Sequence, residues 1–156
     1  MKINFYSKDA FDEKKYSVII PLYEGKLVLV KNEKKETLEL PGGYIEKNET
    51  SEMAAKKELY EESGATSFEL TYLSDYSIEK DGKIEYGSIF MASIHKFGDL
   101  PKFQMEDKFL VKDIPENLTY PEIQGEFIKK YLIKNKESFE FKIEKNLGGK
   151  IEIREK

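Results

Sequence analysis

The sequence predicts an α+β layered fold with a mixed or antiparallel sheet. Three features of the 156 residues predict it. Two long stretches, 16–40 and 68–96, are rich in Ile, Val, Leu, Tyr, Phe and Thr and are divided by short polar turns. A helix with both of its end signals, 49–63, separates them. A second apolar-striped helix, 123–135, precedes an alternating tail.

Taken in order, residues 1–15 are polar and mixed and suggest no element. YSVIIPLY (16–23) and KLVLVK (26–31) flank Glu24-Gly25 and predict a hairpin. NEKKE (32–36) is a charged loop. TLEL (37–40) is a short strand, stopped by the breaker Pro41-Gly42-Gly43. In the helix over 49–63, Thr50 or Ser51 caps the start and Glu52 suits the first turn. Met53, Ala54, Ala55 and Leu59 offer a small apolar face, and Gly64 stands where a left-handed C-terminal cap belongs. Phe68–Ile78 and Ile84–Lys96 are strands about the turn Lys80-Asp81-Gly82-Lys83, and Phe109-Leu110-Val111 is another. IPENLTYPE (114–122) is a loop with two prolines. Phe127, Ile128, Tyr131 and Leu132 form the stripe of the helix Ile123–Asn135. The tail from Phe139 alternates on either side of Asn146-Leu147-Gly148-Gly149 and predicts a terminal hairpin. A Gly-Gly pair without a following Lys-Ser/Thr or a strand–helix context is a turn and not a phosphate loop. No repeat or linker divides the chain, so one domain is expected over 1–156, with its core at about 16–135 and an extension at 136–156.

Composition narrows the chemistry. Apolar residues make up 39% and aromatics 13%, enough for a packed core despite 36% charged residues. There is no cysteine, which removes disulfides, thiolate metal sites and cysteine nucleophiles. One histidine, His95, excludes a multi-His zinc site and reads as an ordinary strand residue. A net charge of −4 excludes a global basic field, so a phosphate-bearing ligand has to be met by a few lysines or a metal ion. No apolar run approaches the ~20 residues of a membrane span, and residues 1–17 lack the apolar core of a signal peptide. A soluble cytoplasmic protein with no membrane partner is expected.

Glu58, Glu61 and Glu62 stand at i, i+3 and i+4 on one helical edge. Like charges at that spacing repel, and a bound cation reverses the sign. Carboxylates suit hard metals, Mg2+ first and Mn2+ next. The Gly42-Gly43 turn before the helix brings backbone close to a ligand. A chain with 23 glutamates also produces such clusters as plain solvated surface, and these three residues alone do not separate the two readings.

The wider spacing does. Gly43, five residues, Glu49, seven residues, then Lys57-Glu58-Leu59-Tyr60-Glu61-Glu62-Ser63-Gly64-Ala65 resembles the Nudix box. Lys57 replaces the usual Arg, and Ala65 is a loose match to the aliphatic position. A chance match of the four Glu and two Gly is on the order of one in a million per starting residue. LELPGG before the box resembles the family's lead-in strand. The resemblance runs from about Ser17 to Leu132, closely in the box and by element order elsewhere.

That resemblance implies a Nudix hydrolase: an α/β/α sandwich with a mixed sheet, the box helix and a C-terminal helix, here with the terminal hairpin added. It implies hydrolysis of a nucleoside diphosphate linked to another group, with Mg2+ or Mn2+ as cofactor. By position, Glu58, Glu61 and Glu62 are metal ligands, the Gly42 carbonyl is a fourth, and Glu58 or Glu61 is the base for the attacking water. Gly43, Glu49 and Gly64 are support residues. Lys57 offers a mobile point charge where Arg offers a planar fork; it is placed to pair with Glu61 or to reach Glu49, and reduced efficiency with activity retained is expected.

The layout resembles the MutT-type nucleoside triphosphatases. This implies a further metal contact from Glu106, or Gln104 as second choice, and an amide reading the base from Gln124 or Asn117. An exposed helix-start position is the plain alternative for Gln124. Tyr86, with Tyr76 and Phe90, is a candidate for stacking on a base, against the alternative that strand aromatics fill the core. The expected reaction converts an NTP or dNTP, 8-oxo-dGTP among them, to NMP and pyrophosphate. The alternatives are the same chemistry on the 5′ end of triphosphorylated RNA, or a nucleotide-binding module with catalysis weakened by Lys57. The protein is expected as a monomer or homodimer, its tail hairpin adding a strand to the sheet or pairing with another subunit.

Overall fold

The computed structural model describes residues 1–99, 105–134, 140–145 and 151–152. It opens with β1 (Lys2–Tyr6), where the sequence pattern suggests no element. β2 (Tyr16–Tyr23) and β3 (Lys26–Asn32) meet at Glu24-Gly25, both at positive φ, as a tight hairpin turn requires. β4 (Leu38–Glu39) and β5 (Gly42–Tyr44) follow. α1 (Ser51–Ser63) leads into the long hairpin β6 (Ala65–Lys80) and β7 (Lys83–Phe97), turned at Asp81-Gly82. Then come β8 (Met105–Val111), α2 (Gln124–Tyr131), β9 (Leu132–Lys134), β10 (Phe141–Lys145) and β11 (Ile151–Glu152).

The main sheet runs β1-β6-β7-β2-β3-β4, with β5 on β2 and β8 on β3. β2 and β7 are parallel and the other described pairs antiparallel, so the sheet is mixed. Each face carries a helix. Ala55 and Leu59 of α1 pack on Ile19, Val28, Phe90 and Ala92. Phe127, Ile128 and Tyr131 of α2 pack with Leu132 on Val18, Ile20, Leu29, Tyr76 and Ile89. This is the α/β/α sandwich. Phe90 and Tyr76 are buried core residues, the alternative weighed against base stacking. His95 is half-exposed on β7, its Nε2 4.0 Å from a Glu69 carboxylate oxygen.

Several expectations are corrected. β1 forms because its full length pairs with β6 while Ile3 and Phe5 pack on the core. Pro41-Gly42-Gly43 does not simply stop a strand: Gly42 and Gly43 start a new one, because pairing with β2 uses backbone groups and needs no side chain. Met53 is exposed, since the buried face of α1 follows Ser51, Ala54, Ala55, Leu59 and Glu62 at steps of three and four. α2 ends at Tyr131 and not Asn135; Leu132–Lys134 extend to pair with β10. In the tail, β10 pairs antiparallel with β11, and the turn residues 146–149 lie outside the described residues.

One departure from a regular sheet positions the site. β2 and β3 pair only beside their turn, at Leu22–Leu27 and Tyr23–Lys26. They then diverge, and residues 38–44 fill the wedge, β4 lying on β3 and β5 on β2. The wedge is fastened by Leu38, whose N–H donates to Asn117 O at 3.0 Å and whose carbonyl accepts from Thr119 N–H at 2.8 Å.

Candidate active site

The box helix is set by its ends. Thr50 Oγ1 accepts the Met53 N–H at 3.1 Å, and Gly64 takes the left-handed conformation (φ 79°) while donating to Tyr60 O at 2.9 Å. Ser17 Oγ on β2 donates to Ser51 O at 2.7 Å, so the start of α1 is tied to the sheet.

β5 lies over the acidic edge of this helix. Gly43 is the cross-strand partner of Ser17 in a hydrogen-bonded register, flanked by the bonds Ile19 N–Pro41 O and Ile45 N–Lys15 O. Its neighbour Gly42 therefore turns both N–H and C=O away from β2. The Gly42 N–H donates to Glu62 Oε1 at 2.7 Å, and its carbonyl lies on the same side. A β-carbon on Gly43 would come 2.6 Å from Glu58 Oε1, so glycine is what lets Glu58 lie against this strand.

The electrostatics are those of crowded carboxylates. Glu58 is pushed up to about 7, first by burial and then by the Glu61 charge. Glu62, 8% exposed, is pushed up to about 8, chiefly by burial; the Gly42 N–H opposes the shift and Glu58 adds to it. Tyr16, beside Gly42, is raised by burial and by Glu62. Lys57 reaches Glu49 Oε2 at 3.1 Å, taking the Glu49 alternative and not Glu61. Glu49 also accepts the Glu46 N–H at 2.9 Å; that bond and Lys57 hold its carboxyl below the usual range. Among the described residues no trio of His, Cys, Asp or Glu is gathered into a finished cage. Glu58 and Glu62 are instead drawn in against β5. The donor set suits a hard cation all the same: three carboxylates on one helical edge, two raised by burial and mutual repulsion, with a peptide carbonyl beside them.

The remaining expected site residues are scattered. Gln124 is not an exposed helix-start residue: it is 5% exposed, and its Oε1 accepts the Leu40 N–H at 2.7 Å. Its carbonyl is thus spent on the wedge beside Pro41 and is not presented to a base. Asn117 is exposed, and its Nδ2 donates to Glu36 O at 3.4 Å. Tyr86 stacks on Phe11 with ring centroids 4.2 Å apart, beside an open groove of about 780 Å³ that Lys14, Lys15 and Lys83 line together with Asp12, Glu13 and Glu85. β8, which carries Glu106, packs against α1; the Glu106 side chain and all of Gln104 lie outside the described residues. Two neighbours have no counterpart among the expected residues. Tyr44, next to Gly43, is 60% exposed, and the Lys15 ammonium stands 5.9 Å from its ring centroid. Glu39 is buried beside Thr119, its carboxyl raised chiefly by burial. Alternation with Leu38 and Leu40 marks Glu39 only as an outward strand residue, so its burial had no signal; an aromatic directly after Gly-Gly was a usable one for Tyr44.

Known proteins share the family pattern and the fold. The NUDIX domain model matches residues 13–110, more than half of the chain. The Bacillus subtilis (strain 168) protein YtkD, to which 8-oxo-dGTP diphosphatase activity is ascribed, is 31% identical over 120 residues, 76% of this chain and 75% of its own. The structure of the Bacillus subtilis pyrophosphohydrolase BsRppH is similar with a TM-score of 0.65 at 30% identity, over 74% of this chain and 73% of that one. A NUDIX hydrolase from Nitrosomonas europaea shares the fold with a TM-score of 0.60 at 16% identity, over 82% and 84%. With the box, its helix and the mixed sheet all in place, the chain belongs to the NUDIX family and is a hydrolase of phosphoric anhydride bonds.

Proposed function

We propose that the protein is a Mg2+- or Mn2+-dependent nucleoside triphosphate pyrophosphohydrolase, converting an NTP or dNTP, 8-oxo-dGTP among them, to the monophosphate and pyrophosphate. The observation that carries the reading is the seating of Glu58 against Gly43 beside the Gly42–Glu62 bond. It puts Glu58 and Glu62 of α1 against the two glycines that open β5, which add no side chain to the acidic edge. Glu58, Glu61, Glu62 and the Gly42 carbonyl are the groups that would hold the cation, with Glu106 the candidate from β8. Bound there, a divalent cation neutralises phosphate oxygens and acidifies an attacking water.

The chain's own part is proton handling and positioning. Glu58, half-buried and seated against Gly43, is one candidate to take the proton of the attacking water. Glu61, three residues on along the same edge, is the other candidate base. Lys57, anchored by Glu49, feels the charges of Glu58 and Glu61 and holds positive charge beside them. Gly43, Glu49 and Gly64 serve as supports. Asn117 is the remaining amide candidate for the base edge, and Tyr86 the aromatic one. The YtkD resemblance favours a free nucleotide.

A second reading is pyrophosphate removal from the 5′ end of triphosphorylated RNA. The observation behind it is the groove beside Tyr86, which Lys15 carries up to Tyr44 on β5 and which offers rings and lysines to a 5′ end, with Asp12, Glu13 and Glu85 offsetting its positive charge. The protein would act as a monomer or homodimer, and among the described residues no helix is long and apolar enough to cross a membrane. The two readings separate when kcat/KM for the common NTPs, dNTPs and 8-oxo-dGTP is compared with that for a 5′-triphosphorylated oligoribonucleotide, scoring pyrophosphate. A preference for a free nucleotide supports the first. Turnover of RNA alone supports the second. Silence on every substrate in both Mg2+ and Mn2+ overturns both.

A further inference from the structure

A second polar cluster lies outside the acidic edge. Asp75 on β6 is fully buried. Its carboxylate accepts from Tyr72 OH, from Ser88 Oγ at 3.0 Å and from the Phe11 N–H at 3.2 Å, and the Lys14 ammonium stands 3.7 Å away. The Lys14 side chain is 8% exposed, and its Nζ also donates to Tyr72 OH at 2.9 Å and to Asp9 Oδ1 at 2.8 Å. A bulge makes the cluster possible. The β6–β7 register slips between Tyr72 and Ser74, so Tyr72 and Asp75, three residues apart, share the face that α1 covers.

A buried ion pair is a weak source of stability, since apolar packing of the same volume does as well. What this one does is fix a place in the chain. Lys14 is the last but one residue before β2. Its neighbour Lys15 donates its N–H to Tyr86 O at 2.8 Å and accepts the Ile45 N–H at 3.0 Å. From there β2 takes up β5, which has no other strand partner among the described residues. Asp75, Ser88, Ser17 and Gly43 form one lateral row across β6, β7, β2 and β5.

We infer that Lys14 and Asp75 are positioning residues for the reaction: they lock the segment entering β2 and thereby hold Gly42 and Gly43 over Glu58 and Glu62. The inference rests on the proposed role of that acidic edge. Its first readout, however, is independent of activity.

Amide exchange is compared in wild-type protein and Lys14→Met, alongside kcat and KM for the preferred nucleotide. The expected result is exchange at least about tenfold faster over residues 40–46 with residues 26–31 unchanged, reflecting local opening. With it, kcat falls on the order of tenfold while KM stays within about twofold, the mark of misplaced catalytic groups. Uniformly faster exchange, or unchanged exchange at 40–46, overturns the inference. So does full kcat per folded molecule. If Lys14→Met does not fold, Asp9→Asn, which removes only the exposed outer partner of Lys14, is read by the same two measurements with effects of a few-fold. A wild-type protein inactive on every nucleotide, with 40–46 still opening selectively in the variant, faults the function and leaves the positioning intact.

Discussion

The Glu58 carboxylate occupies the space that a β-carbon on residue 43 would fill, with Oε1 2.6 Å from that position. Gly43 does not have positive φ, so its backbone accepts alanine and the conflict falls on Glu58. Gly43→Ala is expected to lower kcat on the order of a hundredfold, because the proposed reaction requires the Glu58 carboxylate in its seat. Steady-state kinetics check this; activity within twofold of wild type contradicts the seating.

The raised carboxyls make a pH prediction. A folded-state value above the unfolded one favours the protonated form, so the stability it contributes is fully present below about 4.5 and is lost as pH rises through about 7 for Glu58 and about 8 for Glu62. In EDTA, the urea midpoint should fall between pH 5 and pH 9. Glu62→Gln should flatten the fall, by an amount on the order of a few kcal/mol in the wild-type difference. A parallel decline in the variant refutes the assignment. Mg2+ should restore stability more at pH 9 than at pH 5.

Lys57 keeps its link to Glu49, but as a point charge on a half-exposed pair. Lys57→Met is expected to change stability by less than about 1 kcal/mol and to cut kcat/KM by about tenfold. Lys57→Arg, which restores a planar fork, should raise kcat/KM by a few-fold. A loss on Lys57→Arg means that the site has adapted to lysine.

Gln124 belongs to the wedge. Gln124→Leu leaves the buried Leu40 N–H without its acceptor and should destabilise by about 1–3 kcal/mol. The preference among bases should not change. Denaturant unfolding and a comparison of kcat/KM across the four bases test the two halves, and an altered base preference with unchanged stability reverses the assignment.

The box was legible because its residues are fixed in number along one helix and its flanking turn: Gly43, Glu49, Glu58, Glu61, Glu62 and Gly64 keep their spacing whatever packs around them. Thr50 and Gly64 gave the helix ends for the same local reason. The long hairpin was legible from its alternation and from Asp81-Gly82. Elements made by distant pairing were not. β5 is two glycines and a tyrosine held by β2, and β9 left the helix stripe to meet β10. The burial of Gln124 and of Lys14 with Asp75 depends on partners 84 and 58 or more residues away in the chain, as the Gln124–Leu40 and Lys14–Tyr72 bonds show. No local pattern announces such partners.

The central claim is that the acidic edge of α1 hydrolyses a nucleoside triphosphate with a divalent cation. The most direct test is the release of pyrophosphate from the preferred nucleotide in Mg2+, measured for wild type, wild type in excess EDTA, and Glu61→Gln. The account predicts pyrophosphate with an NMP product, lost in EDTA and reduced at least about a thousandfold in the folded variant. Release of orthophosphate in place of pyrophosphate, or equal rates in Glu61→Gln and wild type, would contradict it.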